Sequence, residues 1–191
     1  MRKIIAATFV SVNGYFAGAH GEQDWTFPYL SQELRDWITA ENKGHDTIIQ
    51  GETTYSLHKD YWPNVPVDQD PSAKFMNETP KITISKKLKE APWGKYATTT
   101  ILSKNVFDEV RKLKKQPGKN IVIVGSGSIV QQFTNEGLID EYDIITLPII
   151  LSEGRPLFVH IDEDQPLKLL EVKQFSDGTV MHRYSTQKAR G

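Results

Sequence analysis

The chain has 191 residues, 38% of them hydrophobic, enough for one sizeable core and close to the usual length of a single domain. Its 23 Lys and Arg balance 24 Asp and Glu, so no strong net field draws it to nucleic acid or an anionic membrane surface. With no cysteine, disulfides, thiolate metal sites, iron–sulfur ligation and cysteine nucleophiles are all excluded, and a reducing cytoplasm is the expected location.

The first residues, Met1 to Ala7, are basic and then apolar in the manner of a signal peptide, but the run breaks at Asn13-Gly14 without a small-residue cleavage site. Lys3 to Val10 therefore reads as a buried strand, and no stretch approaches the roughly 20 apolar residues of a membrane helix. Gly14 to Pro28 mixes glycines with Tyr15, Phe16, Trp25 and Phe27, the composition of a loop that folds over a flat ligand. Ser31 is the N-cap of a helix carrying Leu34, Trp37 and Ile38 at helical spacing and stopping near Gly44. A strand over Asp46 to Gln50 ends at Gly51, and a second helix opens at Glu52 to Tyr55. Pro63, Pro66, Pro71 and Pro80 predict an irregular surface excursion between them.

Lys81 to Ser85 and Ala97 to Leu102 read as strands, and Asn105 to Lys115 as a helix with Val106, Val110 and Leu113 on one face. Asn120 to Val124 is a fully apolar strand, Gly125-Ser126-Gly127 a tight turn, and Ser128 to Glu136 a helix stopped by Gly137. Tyr142 to Ile150 is a further apolar run, in which Pro148 implies a bulge or an edge. Leu167 to Phe175 and Thr179 to Ser185 flank Asp177-Gly178, a hairpin signal. Alternating strands and helices followed by a hairpin predict an α/β chain. Residues 1–191 are expected to form one domain around a mixed, mostly parallel sheet, flanked by helices and ending in an antiparallel hairpin.

Two turns carry candidate chemistry. Gly125 to Ser128 lies where a strand's carboxyl end meets a helix's amino end, which suits either phosphate binding or a plain tight turn. Gly51-Glu52-Thr53-Thr54 repeats that logic, with simple N-capping as its alternative. Two such turns in one small domain would be placed to grip one dinucleotide. The five histidines show no metal-ligand spacing, so no metal is expected, and no serine sits in a nucleophile elbow. The basic run Arg111 to Lys115 complements a helix dipole as a solvated face.

Read together, these pieces resemble the dihydrofolate reductase-like superfamily, in the branch of the reductase domain of bacterial riboflavin biosynthesis proteins. The carriers are Ser11 to Ala17, Asp46 to Tyr55, Ile123 to Ser128, and Leu138 to Glu141 followed by Pro148 to Phe158. The resemblance implies NADPH, with pyrophosphate contacts from Gly125, Ser126, Gly127 and Ser128 on one side and Thr54 on the other. Ser85 and Lys86 would meet the adenosine 2′-phosphate, and Ala7, Gly51, Thr53 and Ile129 complete the cofactor contacts it implies. Two departures stand out. Glu52 occupies a position where relatives often carry a basic residue, and Asn13 one where they often carry aspartate.

Asn13, Asp24, Trp25 and Glu33 are the substrate-side candidates, although the carboxylate by which dihydrofolate reductases hold the pterin has no ungapped counterpart. No catalytic residue is assigned. The expected activity is NADPH-dependent reduction of a small molecule, such as the 5-amino-6-(5-phosphoribosylamino)uracil of riboflavin biosynthesis. The alternatives are a dihydrofolate or pterin reductase and a non-catalytic nucleotide-binding protein. Neither nucleic acid nor membrane is an expected partner, and the resemblance implies a homodimer.

Overall fold

Aliphatic runs with little polar alternation need helices on both faces, and that requirement organises the centre of the molecule. In the computed structural model, which describes residues 1–187, β1 (Ile4–Ser11) and β6 (Asn120–Val124) are such runs, and β3 (His45–Gly51) and β7 (Glu141–Leu147) flank them with Ile48-Ile49 and Ile144-Ile145 at their centres. With β4 (Lys81–Ile84), β5 (Thr99–Leu102), β9 (Leu167–Gln174) and β10 (Val180–Thr186) they form an eight-stranded sheet in the order β5-β4-β3-β6-β1-β7-β10-β9. The first six strands are parallel, and β10 runs antiparallel to both β7 and β9. A second, two-stranded sheet pairs β2 (Tyr15–Ala17) with β8 (Arg155–Pro156).

One face of the large sheet presents Ile4, Ala6, Val10, Ile121 and Ile123. They pack against Val110 of α4 (Val106–Lys115) and against Val130 and Phe133 of α5 (Gly127–Asn135). On the other face, Leu34 of α1 (Gln32–Asn42) meets Ile145, Leu147 and Met181. Helix α1 starts as its sequence predicts, with the Ser31 hydroxyl accepting the Leu34 amide at 3.3 Å. Helix α2 (Glu52–His58) follows β3 directly.

The proline-rich excursion is more ordered than its composition suggests. It holds a 3₁₀ helix, Trp62–Asn64, and α3 (Ser72–Glu78), whose Ala73 and Met76 are buried, with Met76 against Ile48 and Val122. The prolines punctuate this segment instead of dissolving it. Pro71 stands at the N-cap of α3 and Pro80 follows the C-cap Thr79, so the helix itself contains none. At the other end of the chain, β7 stops at Leu147 because Pro148 brings no N–H to the ladder.

Arg183 of β10 binds the hairpin to the rest. Its guanidinium donates to both oxygens of Asp143 on β7 at 2.8 Å and to Glu41 of α1 at 2.6 Å. Asp143 is 3% exposed, so removing either partner strands a buried charge.

His58, at the end of α2, has a buried Nδ1 with no partner among the described residues, and its ring stands edge-on to Trp62. Burial pushes its imidazole down from 6.5 to about 4. Between those values the unfolded chain holds a proton that the folded one rejects, so this contribution to stability rises from about pH 4 to 6.5 and is lost on acidification. The free energy of unfolding by urea, wild type minus His58→Phe, is expected to fall by about 3 kcal/mol between pH 7 and pH 4. An unchanged difference would contradict the assignment.

Candidate active site

Strands β3 and β6 are parallel neighbours, so α2 and α5 both begin at the same edge of the sheet. Ser126, the N-cap of α5, joins them. Its backbone is left-handed at φ 56°, and its buried hydroxyl accepts the Gly51 amide at 2.8 Å and pairs with the Thr54 hydroxyl at 3.0 Å. The glycines serve this approach. A Cβ on Gly51 would fall 2.3 Å from the Ser126 hydroxyl, and Gly125, at φ +60°, lies against Thr54. Gly127 leaves room for the ring of Phe16, which would stand 2.5 Å from a Cβ there.

Above these turns opens a cleft of about 360 Å³, with Thr53, Thr54 and Ser126 to Ser128 on one side and the β2–β8 pair on the other. The hydroxyls of Thr53 and Ser128 belong to exposed residues, and the Gly127 and Ser128 amides precede the first bonds of α5, which run from Ile129 and Val130 to the Ser126 carbonyl. Arg155 is the charged residue in the lining. Its Nε donates to the Ala19 carbonyl at 3.2 Å, which aims the guanidinium without consuming its outer nitrogens. Hydroxyls, amides and a guanidinium around one space make a donor-rich surface suited to anionic oxygens. The residues present therefore fit the diphosphate of a dinucleotide.

The other expected cofactor residues are distributed differently. Ile129 is buried beneath Gly51. Ser85 and Lys86 stand outside the cleft lining, Ser85 4% exposed at the end of β4 and Lys86 on the surface. Ala7 faces a second cavity of about 200 Å³, on the face of the sheet covered by α1 and α3. That cavity is walled by Trp37, Trp62, Phe75 and Met76, and its polar end holds Glu41, His45 and Asp143. His45 has a buried Nδ1 without a partner among the described residues, and burial lowers its imidazole below the ordinary value, leaving it neutral at pH 7.

The structure does not bring the four substrate-side candidates together. Asn13 brackets Leu151, donating to its carbonyl at 2.8 Å and accepting its amide at 3.2 Å, and so fixes the segment that leads to β8. Glu33 accepts the Ser176 amide at 2.9 Å and anchors the hairpin turn, a bond that holds its carboxyl below the usual range. Asp24 is exposed at the start of the 3₁₀ helix Asp24–Tyr29, and Trp25 packs against the core around Leu34. Arg155 and His45 were the residues that sequence reasoning passed over. Arg155 offered one signal, as the cation inside Gly154-Arg155-Pro156, whereas an isolated His45 at a strand start offered none.

Residues 2–181 match the RibD C-terminal domain family. The chain belongs to that family. The chain is 30% identical over 188 residues to the uncharacterized protein YyaP of Bacillus subtilis, covering 96% of this chain and 94% of that one. Among solved structures it resembles a Thermotoga maritima diaminohydroxyphosphoribosylaminopyrimidine deaminase/5-amino-6-(5-phosphoribosylamino)uracil reductase, with a TM-score of 0.70 at 12% identity, covering 97% of this chain and 57% of that one. It also resembles dihydrofolate reductase from Enterococcus faecalis complexed with NADP(H), with a TM-score of 0.64 at 12% identity and 97% of both chains covered. These neighbours show a dihydrofolate reductase-like fold, and membership of the RibD C-terminal domain family supports a reductase-like role.

The Ser126 junction makes a stability prediction of its own. Ser126→Ala removes the acceptor of a buried amide and the partner of a buried hydroxyl while keeping a side chain at positive φ, and should cost about 2–3 kcal/mol. Ser126→Gly loses the same bonds but relieves the backbone, so it should cost about 1 kcal/mol less. Equal stability of all three proteins in urea would contradict the junction.

Proposed function

We propose that the chain is a nicotinamide-dinucleotide-dependent reductase of a small molecule, with the diphosphate of the cofactor in the cleft and the substrate in the second cavity. The observation that carries this reading is the convergence of the Gly51 and Gly125 turns on Ser126 at the ends of adjacent parallel strands. Thr53, Ser128, the Gly127 and Ser128 amides and Arg155 would hold the diphosphate, and Ala7, which lines the second cavity, would lie beside the nicotinamide. The bound nicotinamide supplies the hydride. The chain supplies placement, and the apolar walls of Trp37, Trp62 and Phe75 keep water from the reacting ring. Neutral His45 would hydrogen-bond a substrate heteroatom at the polar end.

The family expectation is NADPH with a pyrimidine ribosyl phosphate such as the substrate named for the Thermotoga maritima enzyme. A compact ring without phosphate suits this cavity better. Its lining cation, Arg35, already donates to Asp70 at 2.7 Å and to the Leu30 carbonyl at 3.0 Å. A carbonyl or imine heterocycle of that size is the substrate class to assay, with the pyrimidine nucleotide and dihydropterins as comparisons.

Fluorescence titration with NADH and NADPH should show saturable binding. Arg155→Ala should weaken both dinucleotides about tenfold, the value of one charge-assisted hydrogen bond, because both carry the same diphosphate. No binding of either dinucleotide to the wild type would overturn the reading.

We also propose that the chain is one domain, since one sheet runs through it, and that it dimerises through β9. That edge strand exposes Leu167, Leu169, Leu170 and Val172 at 37–52% among Lys168, Glu171 and Lys173, and its outer side pairs with no strand among the described residues. Light scattering at micromolar concentration should give the mass of a dimer, and Leu169→Lys that of a monomer. A monomeric wild type would contradict the interface.

A further inference from the structure

We infer that Glu52 makes this cleft select a dinucleotide with a free adenosine 2′-hydroxyl, NADH, over its 2′-phosphorylated counterpart. The inference rests on the placement of the diphosphate at the two glycine turns and names which form of the cofactor that site takes.

The direction of the bound molecule follows from the sheet. In the strand order β4-β3-β6-β1, a diphosphate held at the two glycine turns would lie over the ends of β3 and β6. The reactive nicotinamide must face the second cavity, which Ala7 of β1 lines. The adenosine half then extends the other way, over the end of β4, about 4.8 Å beyond β3. The groups waiting there are Glu52, the first residue of α2, and Ser85, the residue after β4.

These two are already bonded to each other. The Ser85 hydroxyl donates to Glu52 Oε2 at 2.7 Å and accepts the amides of Lys87 and Leu88, each at 3.0 Å. A serine hydroxyl has one proton and two lone pairs, so Ser85 has no donor left for an incoming phosphate. Its bond instead fixes the Glu52 carboxylate outside the cleft lining but next to Thr53 within it, on the side toward which the adenosine ribose would extend. A carboxylate there accepts a hydrogen bond from a 2′-hydroxyl, the arrangement by which dinucleotide folds recognise NADH, and it repels a 2′-phosphate of the same sign.

Lys86 and Lys87 lie nearby and would attract that phosphate. Both are exposed, and their ammonium groups have no partner among the described residues. An ion pair made by such unfixed surface chains is weak and screened by salt, while the Glu52 carboxylate is held in place. The fixed charge therefore decides. This reverses the NADPH preference and the Lys86 contact that the family resemblance implies.

Calorimetric titration of the whole chain with NADH and NADPH tests the inference without an activity assay. The wild type should bind NADH about tenfold more tightly. Glu52→Gln should narrow that ratio by weakening NADH and strengthening NADPH, Glu52→Arg should invert it, and Lys86→Ala should leave it nearly unchanged. Circular dichroism of each variant establishes that it is folded before it is compared. Equal or tighter binding of NADPH by the wild type, an unaltered ratio in Glu52→Gln, or a selective loss of NADPH in Lys86→Ala would overturn the role of Glu52 and leave the cleft standing. A wild type that binds neither dinucleotide would overturn the cleft and the inference together.

Discussion

The hydroxyl of Ser126 is the point on which the site depends. It satisfies a buried amide at the end of β3 and a buried hydroxyl in the first turn of α2. Because it does so from a left-handed N-cap, α5 must begin where α2 begins. Without that bond the two turns would be independent caps. With it, their glycines become necessary for internal reasons, since Gly51 admits the Ser126 hydroxyl and Gly127 admits Phe16. The glycine-rich appearance of the segment thus reflects close packing of the protein on itself as well as any approach by a ligand.

A similar economy governs the polar residues. Several that seemed free for ligands are engaged internally: Asn13 with Leu151, Glu33 with Ser176, and Ser85 with Glu52. Of the groups that keep unused capacity, two lie where the spaces open. Arg155 retains its outer guanidinium nitrogens in the cleft, and His45 retains a buried ring nitrogen beside the second cavity. Position at a cavity, and not unsatisfied capacity alone, distinguishes these two from groups such as His58, whose orphaned ring nitrogen lines neither space. The same reasoning makes Asp143 structural despite its place in the cavity lining, because both its oxygens are held by Arg183.

The sheet was legible in the sequence because β1 and β6 are mainly apolar runs and β3 and β7 each carry an aliphatic pair, Ile48-Ile49 and Ile144-Ile145, and the hairpin because Asp177-Gly178 leaves little other choice. Helix α3 was hidden. Its Ala73 and Met76 fall on one face, but flanking prolines dominate the local composition, and only contact with Ile48 and Val122 shows why those residues are apolar. The glycine turns were legible as turns, whereas their junction was not, since the Gly51–Ser126 bond spans 75 positions and no periodicity encodes it. The roles of Glu33 and Ser85 were opaque for the same reason. A residue type advertises its capacity for hydrogen bonds, but only the fold determines which partner uses it.

A crystal structure of the chain with a bound nicotinamide dinucleotide tests the central claim most directly. Diphosphate oxygens should lie within hydrogen-bonding distance of Thr53, the Gly127 and Ser128 amides and Arg155, with the nicotinamide toward Ala7 and the adenosine toward the end of β4. A dinucleotide bound at the opposite edge of the sheet, or lying in the cleft with its two halves exchanged, would contradict it.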